Sequence, residues 1–429
     1  MSSLLENLFV LLNRDYDYAV LRNYEGLPGN NPSRDIDLLI SKSELCRFKK
    51  AFPNFVLEHD GRILYTHEDN QFWTVVLMDP DAQIFQLDFQ HNFAWMGIDL
   101  LDECEVLSHR VFNGNVYHLP PDLTFLPKYL YCRILGGSYP QKYAEIRRAA
   151  LEYDGDGIEK RLQYLVGGGL DYWDRAGKWT LRMKSFFSVL RHRPWRGIYR
   201  MATFWGCYIL DIFRRRGLMI SFTGPDGCGK TTVIELLRER LAVNPPVLFH
   251  FRPNLLPNLG EVGAKAKIKK DVDRNFDKPH RGGKHGIISS LVRLHYYCLD
   301  YRWGYLFKVL PLRQRKSIVF FDRYFTDVIV DHERSGIHLS HKFIAFVRHF
   351  IPSCQYNFFF RVAPDTILAR KQELNREAIE RIYGRMEYLA SVDKHCHWID
   401  NNGTPEEAVQ QILEILAEHQ HAKYAKKLS

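Results

Sequence analysis

The sequence contains no apolar run of the length that a helix needs to span a bilayer, so we expect no integral membrane segment. Internal repeats and low-complexity tracts are also absent. The eight cysteines form no CxxC pair and show no metal-ligand spacing, a pattern that suits a reducing compartment. The apolar run that starts at Leu4 lacks a basic flank and a small-residue cleavage site, which predicts an amphipathic helix and not a signal peptide.

Length and composition predict a globular protein of several domains. A chain of 429 residues is too long for one ordinary hydrophobic core, so two or three domains are expected. With 46% hydrophobic and 14% aromatic residues, the composition leaves no room for extended disorder. Together with the cysteine pattern, this favours a cytoplasmic location.

The net charge of +9 is concentrated in one segment. Nine basic residues and one acidic residue lie between positions 182 and 216, so the rest of the chain is close to neutral. Because the excess of positive charge is confined to this one segment, it does not indicate a nucleic-acid-binding protein, and we expect no specific nucleic-acid partner.

Residues 196–214, within this basic segment, predict an amphipathic helix with tryptophan and tyrosine in its apolar face and arginine on the other. The interpretation that we favour is a connecting helix packed on the C-terminal domain, with its arginines solvated or facing phosphate, because surface amphipathic helices are ordinary in globular proteins. The alternative is a weak contact of residues 196–216 with an anionic membrane surface. That contact would place the protein peripherally at the inner face of the membrane.

Three segments of the chain differ in pattern. Residues 1–118 predict an α+β domain, in which Ser41 and Glu44 form the capping box of a helix. Its β-rich runs are 18–22, 35–40, 62–66, 72–78 and 84–89. Residues 119–216 show helical periodicity, broken at two glycine-rich points. In residues 217–429, strand-length apolar runs alternate with helical segments, which predicts an α/β domain with a parallel sheet and helices on both faces.

A glycine-rich loop, GPDGCGKTT, lies between a predicted strand at 218–223 and a predicted helix. It matches GxxxxGKT in the strand–loop–helix context of a phosphate-binding loop. Its glycines let backbone N–H groups face phosphate oxygens, Lys230 would reach the β- and γ-phosphates, and Thr231 would offer its hydroxyl to Mg²⁺. The expected nucleotide-binding residues are Gly224, Asp226, Gly227, Gly229, Lys230, Thr231 and Thr232. We therefore expect ATP and Mg²⁺ as cofactors.

A second motif lies at the end of the apolar run 317–321, which predicts a strand buried on both faces. Open α/β sheets bind ligands at the carboxyl ends of their strands. At that end, Asp322 would hold the water shell of Mg²⁺ and Arg323 would bind a phosphate group. The alternative is an Asp-Arg pair that merely ends a strand.

The DGxGKTT form of the loop and the later Asp322-Arg323-Tyr324 motif together resemble the thymidylate kinase family, and the similarity covers about half of the chain. The acceptor-binding residues that the resemblance implies are Arg252, Arg302, Arg323, Tyr324 and Asp327. Residues 362–365, Val-Ala-Pro-Asp, resemble the start of the family's lid. The catalytic residues that the resemblance implies are Lys230, Asp322, Arg323 and the lid arginines Arg370, Arg376 and Arg381.

Two departures from the family pattern bear on mechanism and substrate. The variable positions of the phosphate loop, 225–228, contain no basic residue, so the transition-state cation is expected from the lid. Downstream of the Asp-Arg-Tyr motif, Asp331 and His332 stand where thymidylate kinases usually have a Tyr-Gln pair. The chain also resembles the thymidylate-kinase-like proteins of polysaccharide-synthesis systems. We therefore expect a small phosphorylated or hydroxylated acceptor, either a nucleoside monophosphate or a sugar or polyol phosphate.

Three aspartates in the N-terminal segment form a candidate metal site. Asp35 and Asp37 lie at i and i+2 of a predicted strand and project from one face, and Asp88 lies in another strand. Converging carboxylates repel each other unless a cation neutralises them, and such clusters hold the Mg²⁺ ions of nucleotidyl transfer. The pattern resembles the polymerase-β type of nucleotidyltransferase, although its Gly-Ser element is replaced here by a segment with Arg22. The alternative is a solvent-facing strand whose aspartates bind nothing.

These observations predict a two-enzyme chain, with a nucleotidyltransferase-like domain (1–118), a helical region (119–216) and a thymidylate-kinase-like domain (217–429). The kinase would phosphorylate a small molecule to which the other domain attaches a nucleotide. One alternative is a plain nucleoside-monophosphate kinase with an inert N-terminal binding module. Another is an ATP-binding regulatory or defence switch. The sequence leaves the oligomeric state open, and a homodimer is compatible with it.

Overall fold

The computed structural model of the chain describes residues 3–30, 34–192, 194–213, 217–243, 245–257, 286–315, 317–370 and 374–428. The chain divides into two compact units, one formed by Met1–Arg215 with Ala417–Ser429 and the other by Arg216–Leu416. The division into three segments at residues 118 and 216 stays a prediction, and residue 216 lies outside the described residues.

The first unit contains a seven-stranded mixed sheet. The strands of this unit are β1 (Tyr18–Val20), β2 (Asp35–Ile40), β3 (Arg62–Glu68), β4 (Phe72–Met78), β5 (Ile84–Gln90), β6 (Phe93–Trp95), β7 (Ile98–Leu101), β8 (Val111–Phe112) and β9 (Tyr117–His118). The sheet has the order β3-β4-β5-β2-β1-β9-β8, and β6 pairs with β7 as a separate hairpin. Each of the five predicted β-rich runs contains a strand of this sheet. Strand β2 runs parallel to β5 and antiparallel to β1.

One face of this sheet packs on two helices, α1 (Ser3–Asp15) and α2 (Lys42–Glu58), in a shared hydrophobic core. Strand β2 contributes Ile36, Leu38 and Ile40 to that core. Because successive side chains of a strand point to opposite faces, Asp35 and Asp37 project from the other face. The alternation of apolar and acidic residues in this strand therefore sets the position of the candidate metal site.

The remaining helices of the first unit are α3 (Glu103–Ser108), α4 (Pro121–Tyr131), α5 (Ala144–Val166), α6 (Leu170–Arg175), α7 (Lys178–His192) and α8 (Pro194–Phe213). A π-helical turn, Cys132–Gly136, extends α4, and a 3₁₀ turn, Gln141–Tyr143, precedes α5. The two predicted breaks are present, because Gly137 and Gly167 have φ angles of +85° and +75° and end the helical segments before them.

Helix α8 uses its first two arginines for ion pairs within the first unit. Arg196 donates a hydrogen bond to Asp102 at 3.0 Å, and Arg200 pairs with Asp99 and Glu103. The expectation that the arginines of this helix are solvated or face phosphate is therefore wrong for these two, because acidic residues of the first unit bind them. Exposed apolar side chains on the helix are Trp195, Ile198, Tyr199, Trp205, Tyr208, Ile209 and Leu210. The predicted contact of residues 196–216 with a membrane surface stays a prediction, and residues 214–216 lie outside the described residues. Among the helices that the structure describes, none has the length and apolar character that a membrane span requires.

The second unit is an α/β domain with a parallel sheet flanked by helices, as the sequence predicts. Its strands are β10 (Met219–Thr223), β11 (Val247–His250), β12 (Val319–Asp322), β13 (Tyr356–Arg361) and β14 (Cys396–Asp400). They pair in the order β11-β12-β10-β13-β14, and each neighbouring pair is parallel. The carboxyl ends of the strands therefore meet at one edge of the sheet, where ligands bind in folds of this class.

The helices of this unit are α9 (Lys230–Arg240), α10 (Ile287–Gly304), α11 (Leu310–Gln314), α12 (Phe325–Val330), α13 (His341–Val347), α14 (Pro364–Arg370), α15 (Arg376–Val392) and the first part of α16 (Pro405–Leu428), whose residues from Ala417 onward belong to the first unit. A π-helical turn, Tyr305–Val309, follows α10, and a 3₁₀ turn, Arg348–Phe350, follows α13. Helices α10, α12, α13 and α15 pack with one face of the sheet in a single hydrophobic core.

Candidate functional site

The phosphate loop joins β10 to α9 at the carboxyl edge of the parallel sheet. Gly227 and Gly229 have φ angles of +88° and +84°, a region that glycine adopts without strain. A Cβ at Gly224 would stand 2.9 Å from the sulfur of Cys228, so the turn is too close for a side chain there. These glycines therefore fix the path of the loop into the first residue of α9, Lys230.

The side chain of Lys230 lies inside this loop. Its ammonium group donates hydrogen bonds to the carbonyls of Gly224, at 2.7 Å, and Pro225, at 2.9 Å, and is buried. Thr231 and Thr232 follow in the exposed first turn of α9. The first turn of a helix presents backbone N–H groups and a partial positive charge, so this arrangement can bind the phosphates of a nucleotide.

Asp322 lies beside the loop because β12 is the neighbour of β10 and Asp322 pairs with Phe222 in the register. Its Oδ2 is 3.4 Å from Nδ1 of His250 at the end of β11. Its Oδ1 is buried and has no hydrogen-bond partner among the described residues. Oxygen ligands of this kind suit Mg²⁺ and its water shell, and the metal role of Thr231 and Asp322 stays a prediction.

Arg323 connects the end of β12 to the phosphate loop. Its guanidinium donates to Asp226 of the loop and to both carboxylate oxygens of Asp327, each at 3.0 Å. Arg334 donates to the other oxygen of Asp226. Burial acts to lower the pKa of Arg323, but Asp327 and Asp226 outweigh it and raise the pKa above its ordinary value. Arg334, Asp226, Arg323 and Asp327 thus form a chain of alternating positive and negative charges. Two of these residues, Arg323 and Asp327, are expected acceptor-binding residues.

The other expected acceptor residues lie in different environments. Arg252 is buried, donates to Asp300 at 3.1 Å and stacks over the ring of Tyr297. Arg302 is exposed on α10. Tyr324 is buried in the core, with 3% of its surface exposed, and its hydroxyl donates a hydrogen bond to the backbone carbonyl of Pro352. The acceptor roles of these residues stay predictions.

The three candidate lid arginines differ in their distance from the phosphate loop. Nη1 of Arg370 lies 3.7 Å from the point where a Cβ at Gly229 would stand, so its guanidinium reaches the loop. Arg376 pairs with Asp365 at the surface, and Arg381 is exposed on α15. Of the three, Arg370 is the best placed to meet a bound phosphate.

Asp35, Asp37 and Asp88 come together on the sheet of the first unit. Asp37 of β2 is the direct register partner of Asp88 in β5. One carboxylate oxygen of each residue lies within 4.8 Å of those of the other two. Three carboxylates at this distance suit a divalent cation, which agrees with the predicted grouping; metal binding itself stays a prediction.

Arg22 donates hydrogen bonds to Asp37 and, at 3.5 Å, to Asp35. Its side chain is 48% exposed. Burial acts to lower the pKa of Arg22, but the two carboxylates raise it overall. The residue that stands in place of the Gly-Ser element therefore contacts two of the three aspartates, and its role as a phosphate binder stays a prediction.

Several site residues were not predicted from the sequence. Asn401 donates from Nδ2 to the carbonyl of Cys228 in the phosphate loop, at 2.7 Å. Its position directly after the last strand is a signal that could have identified it, because ligand-binding residues concentrate at strand ends. Asp300 and Arg334 carry no comparable signal, since each acts through a partner that is distant in the sequence.

No family model matches the sequence. Two solved structures are similar to about half of the chain. Thymidylate kinase from Ehrlichia chaffeensis is 20% identical, with a TM-score of 0.33, over 47% of this chain and 99% of that chain. Thymidylate kinase from Candida albicans is 15% identical, with a TM-score of 0.36, over 48% of this chain and 93% of that chain. Similarity at this level assigns neither an activity nor an acceptor to the chain.

Proposed function

We propose that the second unit transfers the γ-phosphoryl group of ATP to a small phosphorylated or hydroxylated acceptor. The observation that carries the proposal is the placement of the phosphate loop and Asp322 at the ends of two adjacent parallel strands. A strand–loop–helix with Lys230 supplies a phosphate cradle, and the neighbouring strand supplies a carboxylate with a buried oxygen. Phosphoryl transfer needs this combination of positioning and charge stabilisation.

In the proposed reaction an acceptor oxygen forms a bond to the γ-phosphorus, and the bond from that phosphorus to the β–γ bridging oxygen breaks. The electron pair leaves with ADP, and the acceptor hydroxyl, where there is one, loses its proton. Mg²⁺ would supply charge neutralisation when bound at Thr231 and Asp322. Lys230 and Arg370 would stabilise the charge that develops on the transferred group.

A polar acceptor fits the groups around the phosphate loop. The chain of Arg334, Asp226, Arg323 and Asp327 offers both cations for a phosphate group and carboxylates for hydroxyl groups. These side chains favour a sugar or polyol phosphate, or a nucleoside monophosphate read through its sugar, over an apolar acceptor.

The test uses the purified full-length chain with γ-labelled ATP and a panel that contains dTMP, other nucleoside monophosphates, and sugar and polyol phosphates. Transfer of label to one class identifies the acceptor, and the same reaction with Lys230→Ala is the negative control. Transfer to dTMP alone would support the plain nucleoside-monophosphate kinase. ATP binding without transfer to any acceptor would favour the regulatory switch.

For the first unit we propose a second, metal-dependent activity, nucleotidyl transfer. The observation in its favour is the grouping of Asp35, Asp37 and Asp88 on one sheet face next to Arg22. Such a site would bind a nucleoside triphosphate through divalent cations and attach its nucleotide to a phosphorylated acceptor, with release of pyrophosphate. Fusion to a kinase would make the two reactions consecutive.

This second proposal is tested with the full-length chain, an α-labelled NTP, Mg²⁺ and the phosphorylated product of the kinase reaction. Label in a new nucleotide-linked product that disappears in the Asp35→Asn and Asp37→Asn double variant supports nucleotidyl transfer. Turnover that is unchanged in the double variant assigns it to another site, and absence of any product leaves the first unit as a binding module.

A further inference from the structure

We infer that Thr74 and Gln86 are positioning residues for Asp88 and hold its carboxylate in the orientation in which it meets a divalent cation. The inference rests on the metal site proposed for the first unit. Both oxygens of Asp88 accept hydrogen bonds from neutral side chains. The hydroxyl of Thr74 donates to Oδ1, and the amide group of Gln86 donates to Oδ2 at 2.8 Å.

The register of the sheet builds this arrangement. Asp88 lies directly opposite Thr74 of β4 on one side and directly opposite Asp37 of β2 on the other. Asp35 and Gln86 are opposite each other two residues along the same pair of strands. Residues paired across strands, and those two apart along a strand, share one face of a sheet. Backbone hydrogen bonds of three adjacent strands therefore fix all five side chains on the same surface.

The hydrogen bonds from Thr74 and Gln86 stabilise a carboxylate that is buried. Thr74 is fully buried, and Gln86 and Asp88 are only 7% and 8% exposed. A carboxylate taken out of water is destabilising unless its oxygens accept hydrogen bonds. Neutral donors supply those hydrogen bonds without adding a positive charge that would repel a metal ion.

The free oxygen of Gln86 is an independent observation at the same place. Oε1 of Gln86 is buried and accepts no hydrogen bond from any residue in the described part of the chain. The amide nitrogen is committed to Asp88, so this oxygen is one more acceptor beside three carboxylates. Arg22 already supplies one positive charge to Asp35 and Asp37, and a hard cation, which takes carboxylate and amide oxygens as ligands, would supply the rest.

The experiment measures Mn²⁺ binding to the full-length chain by calorimetry, with Mn²⁺ alone as the probe. Binding that is lost in the Asp35→Asn and Asp37→Asn double variant defines the site. Thr74→Val and Gln86→Leu are each expected to weaken that binding by about 10- to 100-fold, as loss of outer hydrogen bonds does at other metal sites. Thr74→Ser keeps the hydroxyl and should restore the affinity.

Gln90→Leu is the matched control. Gln90 is a buried glutamine of the same strand and face, but its amide group donates to the carbonyl of Asn92 and not to Asp88. Its variant should bind Mn²⁺ like the wild type. Thermal unfolding identifies any variant that does not fold, and Thr74→Val and Gln86→Leu test the same role independently.

Two outcomes overturn the inference and are distinguishable. If Thr74→Val and Gln86→Leu bind Mn²⁺ with unchanged affinity while the double aspartate variant does not bind, the positioning role is wrong and the metal site stands. If the double aspartate variant binds Mn²⁺ as the wild type does, the metal site itself is wrong, and the positioning role with it.

Discussion

Arg323, the residue after the last position of β12, donates a hydrogen bond to Asp226 in the phosphate loop. The contact joins two motifs that are about a hundred positions apart in the sequence. It is possible because β10 and β12 are parallel neighbours and end together. Arg323 has a φ angle of +72°, an uncommon value for a residue with a side chain, and this backbone turn accompanies the contact. Strain of this kind concentrates at functional sites.

Arg334 is expected to contribute to acceptor binding. Arg323 is held by both Asp226 and Asp327 and its side chain is 11% exposed, whereas the side chain of Arg334 is 27% exposed and pairs with Asp226. Arg334→Met should therefore lower kcat/KM for the acceptor by about tenfold or more, as loss of a charge-assisted contact does, and leave KM for ATP unchanged. Steady-state kinetics with each substrate varied in turn measure both effects.

The control for this variant is Arg348→Met, because Arg348 forms a similar half-buried ion pair with Asp393 elsewhere in the same unit. It should leave both kinetic parameters unchanged. A rise in KM for ATP in Arg334→Met, with no effect on the acceptor, would show that Arg334 supports the phosphate loop only.

Lys230→Ala is expected to abolish ATP-dependent phosphorylation without unfolding the protein. The lysine is the cation of the phosphate loop, and electrostatic stabilisation of this kind contributes on the order of 3 kcal/mol or more, about a hundredfold or more in rate. Turnover of labelled ATP measures the loss, and circular dichroism checks the fold. The control is Lys342→Ala, an exposed lysine on α13. Near-normal kcat in Lys230→Ala would contradict the kinase assignment.

Among the lid arginines, Arg370→Ala is expected to have the largest effect on kcat, a reduction of about a hundredfold or more, as for a cation that acts in the transition state. Arg370 is the one whose guanidinium approaches Gly229. Arg376→Ala and Arg381→Ala serve as matched comparisons, since both side chains are exposed on α15. If all three variants turn over normally, the catalytic cation lies elsewhere, with Arg323 and Arg302 as the next candidates.

Local features of the fold could be predicted from the sequence because they depend on neighbouring residues. The hydroxyl of Ser41 accepts a hydrogen bond from the N–H of Glu44 and starts α2, as the capping box predicts. Thr404 and Glu407 form a similar reciprocal cap at the start of α16. The phosphate loop was predictable for the same reason, since strand, glycines and helix are consecutive.

The partners of the site residues could not be predicted, because they depend on register and on contacts between distant segments. Nothing in the sequence indicates that Asp37 pairs with Asp88 and not with a neighbour, and a shift of one residue would turn one of them to the other face. Arg252 was expected to face the acceptor, yet its guanidinium donates to Asp300, a carboxylate from α10. A buried ion pair between separate elements leaves no periodic pattern to recognise.

Glu333 and Arg385 make the stability of the second unit depend on pH. Arg385 of α15 donates two hydrogen bonds to Glu333, each 2.8 Å long, and a third to the carbonyl of Val330. The hydrogen bonding with Arg385 is the main reason that the pKa of Glu333 is lowered from 4.5 to about 2. Because the pKa is lower in the folded state, the pair stabilises the fold above pH 4.5. That contribution is lost as the pH falls toward 2.

Glu333→Gln is therefore expected to lower the melting temperature at pH 7, and the difference from the wild type should shrink between pH 4.5 and about 2. Thermal unfolding by circular dichroism over a pH series measures both curves. Glu380→Gln is the control, since Glu380 is exposed on the same helix as Arg385. A difference between Glu333→Gln and the wild type that stays constant from pH 7 to pH 2 would show that packing, and not the ion pair, accounts for the loss. Because Arg385 anchors the helix that begins at Arg376, the same variant should also alter kcat if the lid acts in catalysis.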